Sequence, residues 1–454
     1  MDTKVVIAVA VVAILAVAGI GTAIALNNKG GSSNPADIPV DNIMDGATLK
    51  VLGNANKDNV IDDKDVKAIE KYIEDGVKYE TIPIADANND KKINSDDIDV
   101  VKKIIAKEDT TVWHVNYYDI DQNTTMDTQL VSTAFPIKKC IITASTNTAM
   151  TMMLLGITSS DVVVGAAYSS LDSKLFGSTF ADTNKVTKVN TTATKIEFEA
   201  GVSNATSELI KNKQVTAIIS DWNKSYLTNW QEFENANVDI VRGASASVDY
   251  VVSENTYRTL GLLFGVDQTR VDTIADLNTY VLKAVAQKGA TVTEKKAAVA
   301  SSNTGDVSAG NSDYTALITL AGGEWGLKGY TAADSATIKV KDHDEVFSYN
   351  FDYVFHIRTY LGYTAKTPAK ISDEYDKYVA DFLAWDKTDG KAEYLISGTM
   401  PVPLRAAYIG NVLYPELFPI EWVESFHSDY VALFTGATVN LGELTFSYHK
   451  DIVA

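Results

Sequence analysis

The sequence predicts an α/β protein of two lobes joined by a long helix, preceded by a small all-α repeat and an apolar N-terminal helix. Three observations lead there. Short apolar runs alternate with helical patterns from about Thr111 onward. A proline-free helical stretch covers Ser253 to Lys288 between two such regions. Upstream, a segment rich in Asp and Asn repeats with a period of about 32 residues. At 454 residues the chain is long enough for two or three buried cores.

Taken in order, Val5 to Leu26 contains no charged side chain over 22 positions. As a helix at about 1.5 Å per residue, it spans a hydrocarbon layer of roughly 30 Å. It is long for a cleaved signal core, so residues 1–28 are expected to form an uncleaved transmembrane anchor, with a cleaved signal as the alternative. Lys4 precedes the segment and Asp37, Asp41 and Asp45 follow it, which places the remainder outside the cytoplasm, at the cell surface. Residues 29–48, opening on Gly30-Gly-Ser-Ser-Asn34, are expected to be a flexible linker.

Within 49–109 the two repeat copies carry oxygen-bearing residues at loop positions 1, 3, 5, 9 and 12. In the first copy these are Asn54, Asn56, Asp58, Asp62 and Asp65, with the Val60 carbonyl at position 7; in the second, Asp86, Asn88, Asp90, Asn94 and Asp97, with the Lys92 carbonyl. Hard Ca²⁺ takes six to eight oxygens at such spacing, and Mg²⁺ suits it less well. The alternative is that Asp and Asn serve as turn and helix-cap residues. The tandem resembles a type I dockerin, which implies two calcium loops and a cohesin-bearing partner. It departs from that pattern at Asn54, where Asp is usual, and at Asn59 and Lys91, where Gly is usual. A calcium-stiffened spacer that never docks stays open.

The large region follows as lobe one (110–252), an inter-lobe helix (253–288, with Gly265 a candidate break) and lobe two with closing helices (289–454). Cys140-Ile-Ile-Thr-Ala, Val162-Val-Val-Gly, Val215-Thr-Ala-Ile-Ile-Ser and Val238-Asp-Ile-Val read as buried parallel strands. Phe135-Pro-Ile-Lys-Lys-Cys-Ile-Ile-Thr-Ala-Ser, Met153-Leu-Leu-Gly156, Asp161-Val-Val-Val-Gly165, Thr319-Leu-Ala-Gly-Gly323 and Met400-Pro-Val-Pro-Leu-Arg405 resemble the class III substrate-binding proteins of ABC importers. The resemblance implies the class III periplasmic-binding-protein fold, two Rossmann-like lobes around a cleft, and a cargo of ferric siderophore, haem or corrinoid. It also implies an ABC permease as partner, docked through one glutamate per lobe. Met150 and Ala316 stand at those positions, so that docking is in question.

Loops after strands should line the cleft: Ser145, Thr146, Asn147, Tyr168, Trp222, Asn303, Trp325, Tyr330, Arg358 and Arg405. Flat aromatics offer stacking faces to a porphyrin or catecholate and arginine pairs with carboxylates; core packing is the competing role for each aromatic. His356 is expected as a core histidine.

Composition narrows the rest. With 59 acids against 40 bases, a net charge of −19, no nucleic-acid partner is expected. One cysteine and five histidines supply no Cys-based zinc site and no disulfide. No nucleophile–base pair, phosphate loop or hydrolase motif occurs, so no catalytic residues and no enzyme activity are expected. The alternative reading is a cell-surface adhesion or assembly protein that works through a dockerin–cohesin contact, with the two lobes as scaffold.

Overall fold

The computed structural model describes residues 38–450 apart from 119–125, 169–174, 191, 193, 199–201, 302–305, 311, 331–336, 340–347, 359–360, 364–366 and 384–390. The apolar segment 5–26, the linker up to Asp37 and Asn303 lie outside the described residues. Among the described residues no helix is long and apolar enough to cross a membrane.

Lobe one is built on a parallel sheet. Its strands are β3 (Cys140–Ile142), β4 (Val163–Ala166), β5 (Thr187–Lys188), β6 (Ala217–Asp221) and β7 (Asp239–Gly243), in the order β5-β4-β3-β6-β7. Every neighbouring pair is parallel. The central strands β3, β4 and β6 are buried throughout, which is why β3, β4 and the first three residues of β6 read as apolar runs. Helix α4 (Thr146–Leu155) leaves β3 through Ser145, whose hydroxyl caps the Thr148 amide at 3.3 Å. Lobe two repeats the plan with β10 (Glu324–Trp325), β8 (Ala297–Ser301), β12 (Tyr353–Arg358) and β13 (Ala392–Ser397) in parallel, and β14 (Ser447–Tyr448) antiparallel at the edge. Helices α9 (Asp313–Leu320), α11 (Val402–Leu413) and α12 (Ile420–Leu433) cover it, α10 being Pro368–Leu383.

The expected single inter-lobe helix is two. Helix α7 (Tyr250–Leu263) ends before Gly265, which sits in the left-handed region at φ 62°, and α8 (Gln268–Ala290) starts behind the Asp267 cap. The two pack along each other, with Gly261 seated so closely on Val271 that a Cβ would lie 2.4 Å from its methyl carbon. The connection between lobes is therefore the 23-residue α8, which touches α4 of lobe one and α9 and α11 of lobe two.

A hairpin that the sequence reading did not single out, β1 (Thr110–Tyr118) with β2 (Asp127–Phe135), opens lobe one. It fuses the repeat to the lobe. The Leu52 amide donates to the Trp113 carbonyl at 2.9 Å, and Val51 bridges His114. Ile43, Met44 and Ile84 share one apolar cluster with Val115, Tyr117, Ala244 and Val252. Residues 38–454 accordingly form one compact unit.

Candidate functional site

The carboxyl ends of both parallel sheets deliver polar side chains to one place, as expected where strands end and helices begin. From lobe one come Ser145 at the α4 cap, Asn147 in its first turn and Asp221 at the end of β6. The Ser145 hydroxyl donates to Asp221 Oδ2 at 2.9 Å and the Asn147 amide donates to the same oxygen at 3.3 Å. From lobe two comes Arg405 on α11, which donates from Nε to the Met400 carbonyl and from Nη2 to Asn147 Oδ1, each at 2.8 Å. That last bond crosses the cleft.

The electrostatics follow from burial. Arg405 is 6% exposed and Asp221 3%. Desolvation pulls the guanidinium below its ordinary range, against the pull of Tyr314, Tyr226, Asp313 and Asp221. Desolvation likewise raises Asp221, against hydrogen bonds from Asn223, Ser145 and Asn147 and the charge of Arg242. Asp313, at the start of α9, is pushed up to about 7 by desolvation and then by the negative charge of Asp221, with Arg405 opposing. The Asp313 side chain nonetheless remains exposed to solvent. Two arginines, two carboxylates and two phenols are thus electrostatically linked; the second arginine is Arg358 at the end of β12, whose charge acts on Tyr314. Arg358 donates to the Ser301 carbonyl at 2.8 Å and lies 4.1 Å from the Tyr378 ring centroid.

The other expected lining residues are placed as follows. Thr146 is buried in the first turn of α4. Tyr168 is buried, its hydroxyl donating to the Val186 carbonyl. Trp222 packs against the cluster of Ile43, Met44, Val115 and Tyr117. Trp325 and Tyr330 pack against the lobe-two cluster around Val299 and Phe351, and Gly310 is glycine because a Cβ there would sit 2.8 Å from the Trp325 ring. These four aromatics thus have packing contacts, Trp222, Trp325 and Tyr330 while still partly exposed. His356 is fully buried at 2.7 Å from Glu393, and desolvation drives the imidazole down and the carboxyl up to about 8, which favours an uncharged pair. Asp313, Tyr226 and Tyr314 were not foreseen as site residues; nothing in their local sequence marks them.

The repeat loops are closed by their own hydrogen bonds. Asp62 and Asp65 form a capping box on α2 (Asp63–Glu74), and Asn94 and Asp97 form one on α3 (Ser95–Ala106). In the first loop the Lys64 ammonium lies 3.1 Å from Asp62 and 3.7 Å from Asp58, and the Asn56 amide donates to Asp58 at 2.8 Å. Asn54 gives its amide protons to the carbonyls of Leu49 and Asp58. In the second loop Asp86 accepts from the amides of Asp90 and Lys91, Asp97 from those of Asn88 and Asn94, and Lys92 pairs with Asp90. Lys91 takes the left-handed conformation at φ 66°, whereas Asn59 does not and instead donates to Asp272 on α8 at 2.8 Å. Among the described residues no three His, Cys, Asp or Glu side chains are grouped to hold a metal ion, and in the first loop the buried Asn54 Oδ1 accepts no hydrogen bond from them.

Comparison with solved structures bears on the architecture. A TroA-like periplasmic binding protein, FepB, from Veillonella parvula matches with a TM-score of 0.53 at 14% identity, over 71% of this chain and 97% of that one. A periplasmic solute-binding protein from the same organism matches with a TM-score of 0.50 at 17% identity, over 69% and 92%. The fold is that of the periplasmic solute-binding proteins. No protein-family model matches the chain, and no curated protein matches it. At these identities the likeness extends to the fold alone.

Proposed function

We propose that the chain is a membrane-tethered extracytoplasmic substrate-binding protein that captures a metal chelate, such as a ferric siderophore, haem or a corrinoid, between its lobes for an ABC importer. The observation that carries this reading is the Arg405–Asn147 bond between lobes, set among Asp221, Asp313 and Arg358. A buried arginine within reach of the cleft supplies a directional, desolvated donor for a ligand carboxylate or catecholate. In this reading the work done is binding, and no bond is made or broken. The resident loops give the site aromatic phenols rather than stacking indoles, which favours a ligand held at its polar rim.

Thermal unfolding with ferric catecholates, ferric hydroxamates, haem and cobalamin tests it. A ligand present at 100 times its dissociation constant should stabilise the fold by about 2.7 kcal/mol. No shift with any of these chelates would sink the reading.

The membrane anchor at 5–26 belongs to this proposal as the tether. Calcium enters it at the two loops, where burial raises Asp65 and Asp86 alike to about 6. A calcium titration followed by thermal unfolding decides that point. A second reading, surface assembly through a cohesin-bearing partner, draws on the absence of docking glutamates: Met150 is buried within α4 and Ala316 is apolar. A calcium-dependent pull-down of a cohesin would support it.

A further inference from the structure

A second pocket, of about 400 Å³, lies between the β1–β2 hairpin, the short helix α6 (Trp230–Glu234) and strand β7, and shares no lining residue with the inter-lobe cluster. Its volume is in the range of small-molecule sites. The hairpin contributes Trp113 and Tyr118, α6 contributes Trp230 and Glu234, and β7 contributes Asp239 and Arg242. Tyr118 and Trp230 meet edge to face at 5.8 Å.

Arg242 gives the pocket its character. It is 4% exposed, donates from Nη1 to the Asp221 carbonyl at 3.2 Å and holds its guanidinium 4.8 Å from the Tyr118 ring centroid. Its Nη2 is buried and has no hydrogen-bond partner among the described residues. A charged donor left in that state is costly, and an acceptor brought by a ligand relieves it. Two carboxylates share the lining, and burial shifts both Glu234 and Asp239 upward. Asp239 also accepts from the Ala134 amide at 2.8 Å, which fixes its position. A simple anion would meet two acids there, and a simple cation would meet the arginine. A molecule that carries an ammonium and a carboxylate on one carbon satisfies all three groups, and the two indoles offer apolar contact to a flat ring.

We propose that this pocket binds a free aromatic α-amino acid, with its carboxylate on Arg242, its ammonium between Glu234 and Asp239, and its ring against Trp113 and Trp230. The proposal does not rest on the chelate reading: the two sites have separate lining residues and meet only where Arg242 donates to the Asp221 carbonyl.

Isothermal titration of the full chain with L-phenylalanine tests it, with 3-phenylpropionate as the carboxylate-only probe and phenethylamine as the ammonium-only probe. The expected result is saturable one-to-one binding of phenylalanine, with each single-charge probe at least about tenfold weaker, a loss of one charge-assisted contact. Glu234 is exposed, so Glu234→Gln should fold, and it should weaken phenylalanine severalfold while leaving 3-phenylpropionate unchanged or tighter. Trp230→Ala, checked by its unfolding transition, should weaken phenylalanine and both probes. Absence of saturable phenylalanine binding, or binding that neither substitution changes, would overturn the proposal.

Discussion

Arg405 in lobe two donates to Asn147 in lobe one across 2.8 Å, and the two residues stand 258 positions apart in the chain. Through Asn147 the bond continues to Asp221, so a guanidinium, an amide and a carboxylate form one chain of contacts through the cleft. Replacing Arg405 by Gln removes the cation and leaves Asp221 short of a compensating charge. Breaking a buried charged contact on one side costs about 3 kcal/mol. Urea unfolding should show that loss in the midpoint, and anionic chelates should bind at least about tenfold more weakly.

Asp313 sets a pH dependence. Its folded-state value near 7 is raised by burial from an ordinary 3.8, so the folded state holds a proton that the unfolded chain releases. The associated stability is fully present below about pH 4 and is lost as pH rises toward 7. Because solvent reaches the carboxylate, the amplitude is smaller than full burial would give. An anionic ligand should accordingly bind more tightly at pH 6 than at pH 8, and Asp313→Asn should flatten that slope. A titration in which Asp313→Asn retains the full slope would show that the pH dependence lies elsewhere.

Arg270 on α8 donates from Nε and Nη2 to the Leu154 carbonyl at the end of α4, and from Nη2 to the Leu433 carbonyl at the end of α12 and to Thr435. Last-turn carbonyls otherwise lack partners, and a cation suits the negative end of a helix. Arg270→Ala should cost about 2 kcal/mol by equilibrium unfolding. Arg270→Lys should recover only part of that, since one ammonium cannot span both helix ends with the same planar fork.

The repeat should not be dispensable. A chain beginning at Asp109 would strip Ile43, Met44 and Ile84 from Val115, Tyr117 and Val252, and would remove the Asn59–Asp272 bond. Exposed apolar surface of that kind produces aggregation or a loosely packed state. Dye binding and the sharpness of thermal unfolding measure it; a truncated chain that unfolds as cooperatively as the full one would show that the repeat is a separate bead.

The sheets were legible and the site was legible only in fragments. Strands β3, β4 and β6 declare themselves because burial on both faces leaves them apolar, apart from Ser220 and Asp221 where β6 runs out into the cleft. The hairpin β1–β2 escapes that reading because its residues mix Thr, Asn, Gln and Asp with the apolar ones, and its pairing partner rather than its pattern makes it a sheet. Gly265 was a visible break, but only the packing of Gly261 on Val271 turns the run into two helices side by side. In the cleft, Asn147 and Arg405 both stand out as polar residues after strands, yet their contact depends on bringing two lobes together. Asp313 is an ordinary first-turn acid until Asp221 is set near it. The tandem loops show the reverse: a spacing suited to a metal also suits two capping boxes, and residue type alone does not separate the two.

Helix α8 reaches helices of both lobes, and Arg270 fastens the ends of two of them before any ligand arrives. The cleft is thus preorganised for the binding proposed above, with little conformational entropy left to surrender on filling. Capture then resembles entry into a standing slot, paced by diffusion and by stripping water from the ligand. On the proposed binding role, release is then the harder half, because the contacts that hold the two lobes together must be broken before the ligand leaves.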